Sequence, residues 1–139
     1  MDMLVKAGAT QALAFAVSYV ALLAILGVAL TVRVIGQRRA AGIGIGDGGD
    51  RDLARLIRVH GNFSETAPIM MILLIALALA GAREWMVHLV GVSAILGRLL
   101  HAVGLGRSIG ASWQRVAGMT LTFTAILSGA LLLLLRAWA

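Results

Sequence analysis

The chain alternates long uncharged stretches with short charged ones. Four runs contain no Asp, Glu, Lys or Arg, namely Ala7 to Val32, Thr66 to Ala82, Trp85 to Gly97 and Val116 to Leu135, and each is bounded on both sides by a charged residue. A bilayer core about 30 Å thick takes roughly 20 helical residues, so the first and fourth runs cross it unaided. The second and third are short. They reach full length only if the second begins in the Asp52 to Glu65 region and the third continues past Arg98 to about Val103. The pattern predicts helices over about 10–37, 52–80, 84–103 and 112–137. The fold expected is an all-α integral membrane protein, a single domain over 1–139 built as an antiparallel bundle of four transmembrane helices.

The connections fit that plan. The one extended loop, Ala41 to Arg51, reads AGIGIGDGGDR and is rich in turn-forming Gly and Asp. It formally contains G-x-G-x-x-G at Gly44, Gly46 and Gly49. A dinucleotide fingerprint must follow a strand in a βαβ unit, however, and this one lies between two membrane helices. Asp47, Asp50 and Asp52 lack the spacing of a calcium loop; Asp50 or Asp52 is expected to cap helix 2. The second connection, Gly81-Ala82-Arg83, is so short that helices 2 and 3 must be antiparallel neighbours.

Composition explains why the solvent must be lipid. Of 139 residues 60% are hydrophobic and 13% charged, with a mean hydropathy of +0.97, more apolar surface than a soluble domain of this size could hide. The formal charge of +6 is an orientation signal rather than a nucleic-acid footprint. Nine of the twelve basic residues lie in or beside the first and third connections, whereas Lys6, Arg83 and Arg136 lie at the termini and the second connection. The positive-inside rule therefore puts both termini outside and the basic loops in the cytoplasm. Aromatic residues, at 5%, are too few for a nucleic-acid stacking surface. The first apolar run is too long for a signal-peptide core and is read as a retained helix. With no cysteine, the chain has neither a disulfide framework nor a thiolate metal site, and no metal is expected.

Extending helices 2 and 3 carries polar groups toward the bilayer, where charge is costly unless paired or lining a cavity. Arg51, Arg55, Arg58, Asn62 and Glu65 fall within about 80° on a helical wheel, a polar stripe that ends where Ile69 and Ile72 take over the same direction. A stripe that stops partway describes a cavity wall open at one membrane face, not a through-pore. Glu65 is expected to have an arginine partner. Arg98 and His101 share a face of helix 3, Arg115 opens helix 4, and Arg33, Arg38 and Arg39 close helix 1, so all four helices bring cations to one end. Such a site suits a small anionic ligand. Arginines at helix ends more often serve as snorkelling anchors, the bland reading of Arg33, Arg38, Arg51, Arg55 and Arg107. His60 points away from the stripe and His88 lies near the opposite face. Pro68 is expected to mark a local kink.

The segment RVHGNFSETAP, Arg58 to Pro68, reads R-x-x-x-N-x-x-E-x-x-P at the start of a membrane helix. It closely resembles the signature of the MAPEG family, the membrane-associated proteins in eicosanoid and glutathione metabolism. The likeness extends to the four helices, the loop before the signature, GRLLH at Gly97 to His101 and the arginine that starts helix 4. It implies a homotrimer in a bacterial cytoplasmic (inner) membrane, binding glutathione between subunits at the cytoplasmic end. On that resemblance Asn62 and Glu65 hold the glutathione backbone with Arg58 beside them, and Arg39 reaches its carboxylates. Arg98 and His101 are similar to a helix 3 pair of the prostaglandin-forming branch. Arg115 stands where catalytic members stabilise the glutathione thiolate. Leu105 lies where some family members have a site tyrosine, and Val116 follows Arg115 where the prostaglandin-forming branch has a serine; both changes remove hydroxyls. The function implied is a glutathione S-transferase or peroxidase-like activity on hydrophobic electrophiles that enter from membrane lipid. The alternative is a non-catalytic lipid- or partner-binding protein on the same scaffold. A small transporter fits less well, because the stripe does not cross the bilayer.

Overall fold

The computed structural model describes residues 2–107, 110 and 112–138, with side chains described from residue 10 onward. Lys6, used above as an orientation signal, has its side chain outside that set. Four helices follow one another: α1 (Asp2–Ala41), α2 (Arg51–Leu79), α3 (Glu84–Arg107) and α4 (Trp113–Ala137). Each is long and apolar enough to cross a membrane. Helices α1 and α3 each run about one turn past the ends expected from sequence, to Ala41 and Arg107. The charged residues there do not break them, because an arginine at a helix C-terminus complements the exposed carbonyls and the helix dipole.

The turns between helices are wired by their own residues. Asp50 is the N-cap of α2, its carboxylate accepting from the backbone N–H groups of Asp52 at 2.8 Å and Leu53 at 3.0 Å. It also accepts from Gln37 Nε2 at 3.0 Å, and Arg38 Nη1 donates to the carbonyl of Gly46 at 2.8 Å, so the loop is tied back to α1. Gly46, Gly48 and Gly49 have positive φ, which lets the chain reverse here without strain on a side chain. At the far end, Arg136 Nη2 donates to the carbonyl of Gly81 at 2.6 Å and closes α4 over the α2–α3 turn.

Helices α2 and α3 form the central pair, with α1 packed on one side of them and α4 on the other; among the described residues α1 and α4 do not touch. The core runs between them through Leu23, Val59, Met70, Leu74, Val87 and Val90, all 0–1% exposed. Three glycines bring α3 and α4 into backbone contact. A Cβ on Gly97 would lie 2.9 Å from Thr122 N, one on Gly104 2.8 Å from Arg115 N, and one on Gly118 2.5 Å from His101 N. Small residues at such a seam replace the hydrophobic drive that lipid cannot supply. Gly91 similarly receives the ring of Tyr19 from α1, whose hydroxyl bonds His88 Nδ1 at 2.8 Å. Helix α2 passes through Pro68 unbroken.

Candidate functional site

Four polar residues of α2, α3 and α4 converge on one side chain. Arg98 is 1% exposed, and its guanidinium reaches four acceptors on three helices. Nη2 donates to Asn62 Oδ1 at 2.7 Å and to His101 Nδ1 at 3.0 Å, while Nη1 donates to Thr66 Oγ1 at 3.0 Å and Thr122 Oγ1 at 3.4 Å. Both threonine hydroxyls spend their own protons on backbone carbonyls, Thr66 on Asn62 at 3.0 Å and Thr122 on Gly118 at 2.8 Å. Their lone pairs are thereby left for the arginine. Among the described residues no carboxylate lies within ion-pair distance of Arg98, and Glu65 acts on it only at longer range. A cation is thus buried among neutral acceptors, an arrangement that favours negative charge nearby.

His101 carries this network to an open space. Together with Arg115, Val116, Met119, Thr120 and Phe123 it lines a crevice of about 500 Å³ between α3 and α4, within the size range of small-molecule sites. The five α4 residues recur at helical spacing and form one stripe. Val116 and Phe123 are 63% and 54% exposed, so the crevice opens sideways along an apolar wall. Arg115 is half-buried at the start of α4, where Ser112 caps its backbone N–H at 3.4 Å and Arg115 Nη1 donates to the carbonyl of Gly110 at 2.8 Å. Gly104 permits the approach, since a Cβ there would stand 2.9 Å from Arg115 Cγ.

The remaining sequence candidates lie elsewhere on the protomer. Arg58 and Glu65 pair with each other, 3.6 Å apart, on the exposed surface of α2; the arginine partner expected for Glu65 is therefore on its own helix. Arg39 lines a separate cleft with Ile35, Arg38, Gly42, Ile43 and Gly44 at the end of α1. Arg55 pairs with Asp52 and donates to the carbonyl of Arg107 at 3.3 Å, tying the stripe to the end of α3. His60 turns to Thr31 at 3.0 Å and His88 to Tyr19, both away from the crevice. Leu105 is buried core at 5% exposure, whereas Val116 faces the crevice.

Sequence reasoning missed Thr66, Thr122, Met119, Thr120 and Phe123. Periodicity could have found two groups of them: Thr66 lies one turn after Asn62, and Met119, Thr120 and Phe123 continue the direction set by Arg115 and Val116.

Known proteins match most of this chain in sequence. The model of the MAPEG family matches residues 16–135. This chain belongs to the MAPEG family. It is also 35% identical over 120 residues to the protein called inner membrane protein YecN of Escherichia coli strain K12, an alignment covering 86% of this chain and 88% of that protein. The same figures hold for the protein of that name in Escherichia coli O6:H1. The matched region takes in all of α2 and α3, so this MAPEG member has its buried arginine and its crevice inside the family-defining part of the chain.

Proposed function

We propose that this MAPEG protein is a glutathione-dependent transferase of a bacterial cytoplasmic membrane that adds the glutathione thiol to hydrophobic electrophiles at the cytoplasmic face. The observation that carries this reading is the crevice in which Arg115 and His101 meet an apolar wall, backed by the uncompensated charge of Arg98. Glutathione brings two carboxylates and a thiol, and it fits a donor-rich, positively charged setting. A free thiol ionises near pH 8.5; a guanidinium in a partly dehydrated crevice favours the thiolate, the species that attacks. The thiolate forms a carbon–sulfur bond, the electrophile's leaving group departs with the bonding pair, and the thiol proton goes to solvent. With a hydroperoxide, two glutathiones are oxidised to the disulfide while the peroxide is reduced to alcohol and water.

The homotrimer expected from the family supplies what one protomer lacks. Arg58 and Glu65 have side chains 66% and 59% exposed on a spanning helix, a costly arrangement against hydrocarbon. Arg39 and Arg115 lie on different helices that do not touch. A neighbouring copy laid against α2 and α4 would cover the ion pair and could bring its own Arg39 to the crevice. Closed cyclic symmetry satisfies every such face equally. The membrane assignment rests on the four spans and on the relative's name, and the orientation on the basic loops.

A second reading has its own support. Val116 offers no hydroxyl to a thiol, and α1 and α2 form an apolar cleft of about 380 Å³ lined by Val20, Met71, Ile72, Ile75, Ala76 and Leu79. A lipid-presenting protein without catalysis would use such a cleft. The test is a glutathione conjugation assay on detergent-purified protein with a generic aromatic electrophile. Wild type should turn over, and Arg115→Ala should lose on the order of 100-fold in kcat, as for removal of one charge-stabilising donor. Absence of turnover, together with absence of thermal stabilisation by glutathione, would favour the non-catalytic reading.

A further inference from the structure

The hydrogen bonds around Arg98 do more than hold three helices together. A guanidinium has donors and no acceptor, and it does not lose its charge. Whatever it bonds must present a lone pair. Asn62 therefore turns its carbonyl oxygen inward at 2.7 Å, which leaves its amide NH₂ pointing the other way. His101 must likewise offer Nδ1 as an acceptor at 3.0 Å, so its proton sits on Nε2 and the ring is neutral. The reverse amide orientation or the other tautomer would place donor against donor.

Each outward group keeps a donor to spare. Among the described residues neither Asn62 Nδ2 nor His101 Nε2 has a hydrogen-bond partner, and the sole sealed side-chain polar atom without one is Arg98 Nε. Neither nitrogen is therefore sealed, and His101, 3% exposed, lines the crevice it shares with Arg115. We propose that Arg98 is a positioning residue rather than a ligand contact, fixing the polarity of Asn62 and His101 so that both present N–H donors to an acceptor-rich ligand. At 1% exposure Arg98 itself is out of a ligand's reach. Its charge is instead relayed through two neutral groups whose direction it dictates. The consequence is selectivity by sign: carboxylates and thiolates meet donors, whereas an ammonium group would meet none of the lone pairs. The choice of glutathione as that ligand rests on the function proposed above, but the polarity does not.

The experiment is nitrogen NMR of protein labelled with ¹⁵N-histidine in detergent micelles, with the His101 ring signals assigned by their loss in His101→Asn. Wild type should show a pyridine-type Nδ1 and a pyrrole-type Nε2 for His101. Protonation on Nδ1 in wild type, as the other tautomer or as imidazolium, would overturn the proposal without recourse to any variant. Arg98→Lys, which still donates, should keep the wild-type tautomer, and Arg98→Met should release it into a mixture. An unchanged pure Nε2–H tautomer in folded Arg98→Met would equally sink the idea. Arg98→Met should also raise the glutathione KM roughly tenfold with a smaller change in kcat, as for loss of one well-directed hydrogen bond, and Arg98→Lys should recover part of it. Glutathione that leaves the His101 Nε2 signal of wild type unmoved would count against the transferase reading while the tautomer still decides the role of Arg98.

Discussion

Asp50 shows how much one side chain outside the membrane can do. Its carboxylate caps α2 through Leu53 and Asp52 and is held from α1 by Gln37. Those bonds, the Leu53 amide first, Gln37 second and the Asp52 amide least, keep its carboxyl below the ordinary aspartate value, with desolvation opposing them. A carboxyl whose folded value is depressed stabilises the fold fully above its unfolded value, near 3.9, and loses that contribution as pH falls through the folded value. Asn can cap a helix but carries no charge. The gap in melting temperature between wild type and Asp50→Asn should therefore be widest near neutral pH and should shrink as pH falls below about 4. Comparing the two proteins cancels the other carboxylates, and a gap that stays constant over that range would remove the electrostatic part of the account. The sequence narrows the cap to Asp50 or Asp52 and goes no further, because what separates them is Gln37, thirteen residues back and across the loop. Arg98 is a similar case: its position near the end of a spanning run is visible in the sequence, but its rotation into the protein, with Thr66 and Thr122 as acceptors, depends on two other helices.

At the scale of the helices, lipid makes the elements legible and leaves their packing hidden. A bilayer demands long apolar runs with satisfied backbones, so four helices and their order follow from charge-free stretches alone. The faces those helices turn to one another are less visible, since an apolar residue suits lipid and core alike. The clearest such face is the α3–α4 seam. Gly97, Gly104 and Gly118 permit it, and on α4 the series continues at helical spacing through Thr122, Ala125 and Gly129, all buried. That small-residue stripe was readable in principle, as was the stripe of Arg115, Val116, Met119, Thr120 and Phe123 beside it. A methyl group on Gly118 would press on the backbone of His101 and on the Gly97 carbonyl, at 2.5 and 2.8 Å, neither of which can swing aside. Gly118→Ala should thus cost about 1–3 kcal/mol by overpacking and should disturb the crevice, because His101 must move with its helix. Gly36→Ala, also inside a helix but with nothing within 4 Å of the added carbon, should be neutral or stabilising by about 0.5–1 kcal/mol. Unfolding followed in detergent compares the two, and equal stability of both variants would mean that the seam is looser than its distances imply.

For the whole molecule, the orientation in the membrane decides whether the crevice can meet the proposed thiol. The charges divide unevenly between the two ends: Arg33, Arg38, Arg39, Arg51, Arg55, Arg58, Arg107 and Arg115 gather toward the α1–α2 loop and the α3–α4 connection, against Arg83 and Arg136 at the other end. Lys and Arg near span ends are retained on the cytoplasmic side, so the proposed orientation keeps the loop and the crevice inside and the C-terminus outside. The protein lends itself to a direct test because it contains no cysteine, so that a single introduced thiol has no background. Ile45 in the loop is 92% exposed and Trp138 beyond α4 is 89% exposed, and neither side chain belongs to the core. In intact cells with the outer membrane opened, a membrane-impermeant maleimide should label Trp138→Cys. Ile45→Cys should react only after the inner membrane is permeabilised. The opposite pattern would place Arg115 and His101 away from the cytosol and its thiols, and the proposed chemistry would lose its co-substrate even if the fold and every contact around Arg98 were unchanged.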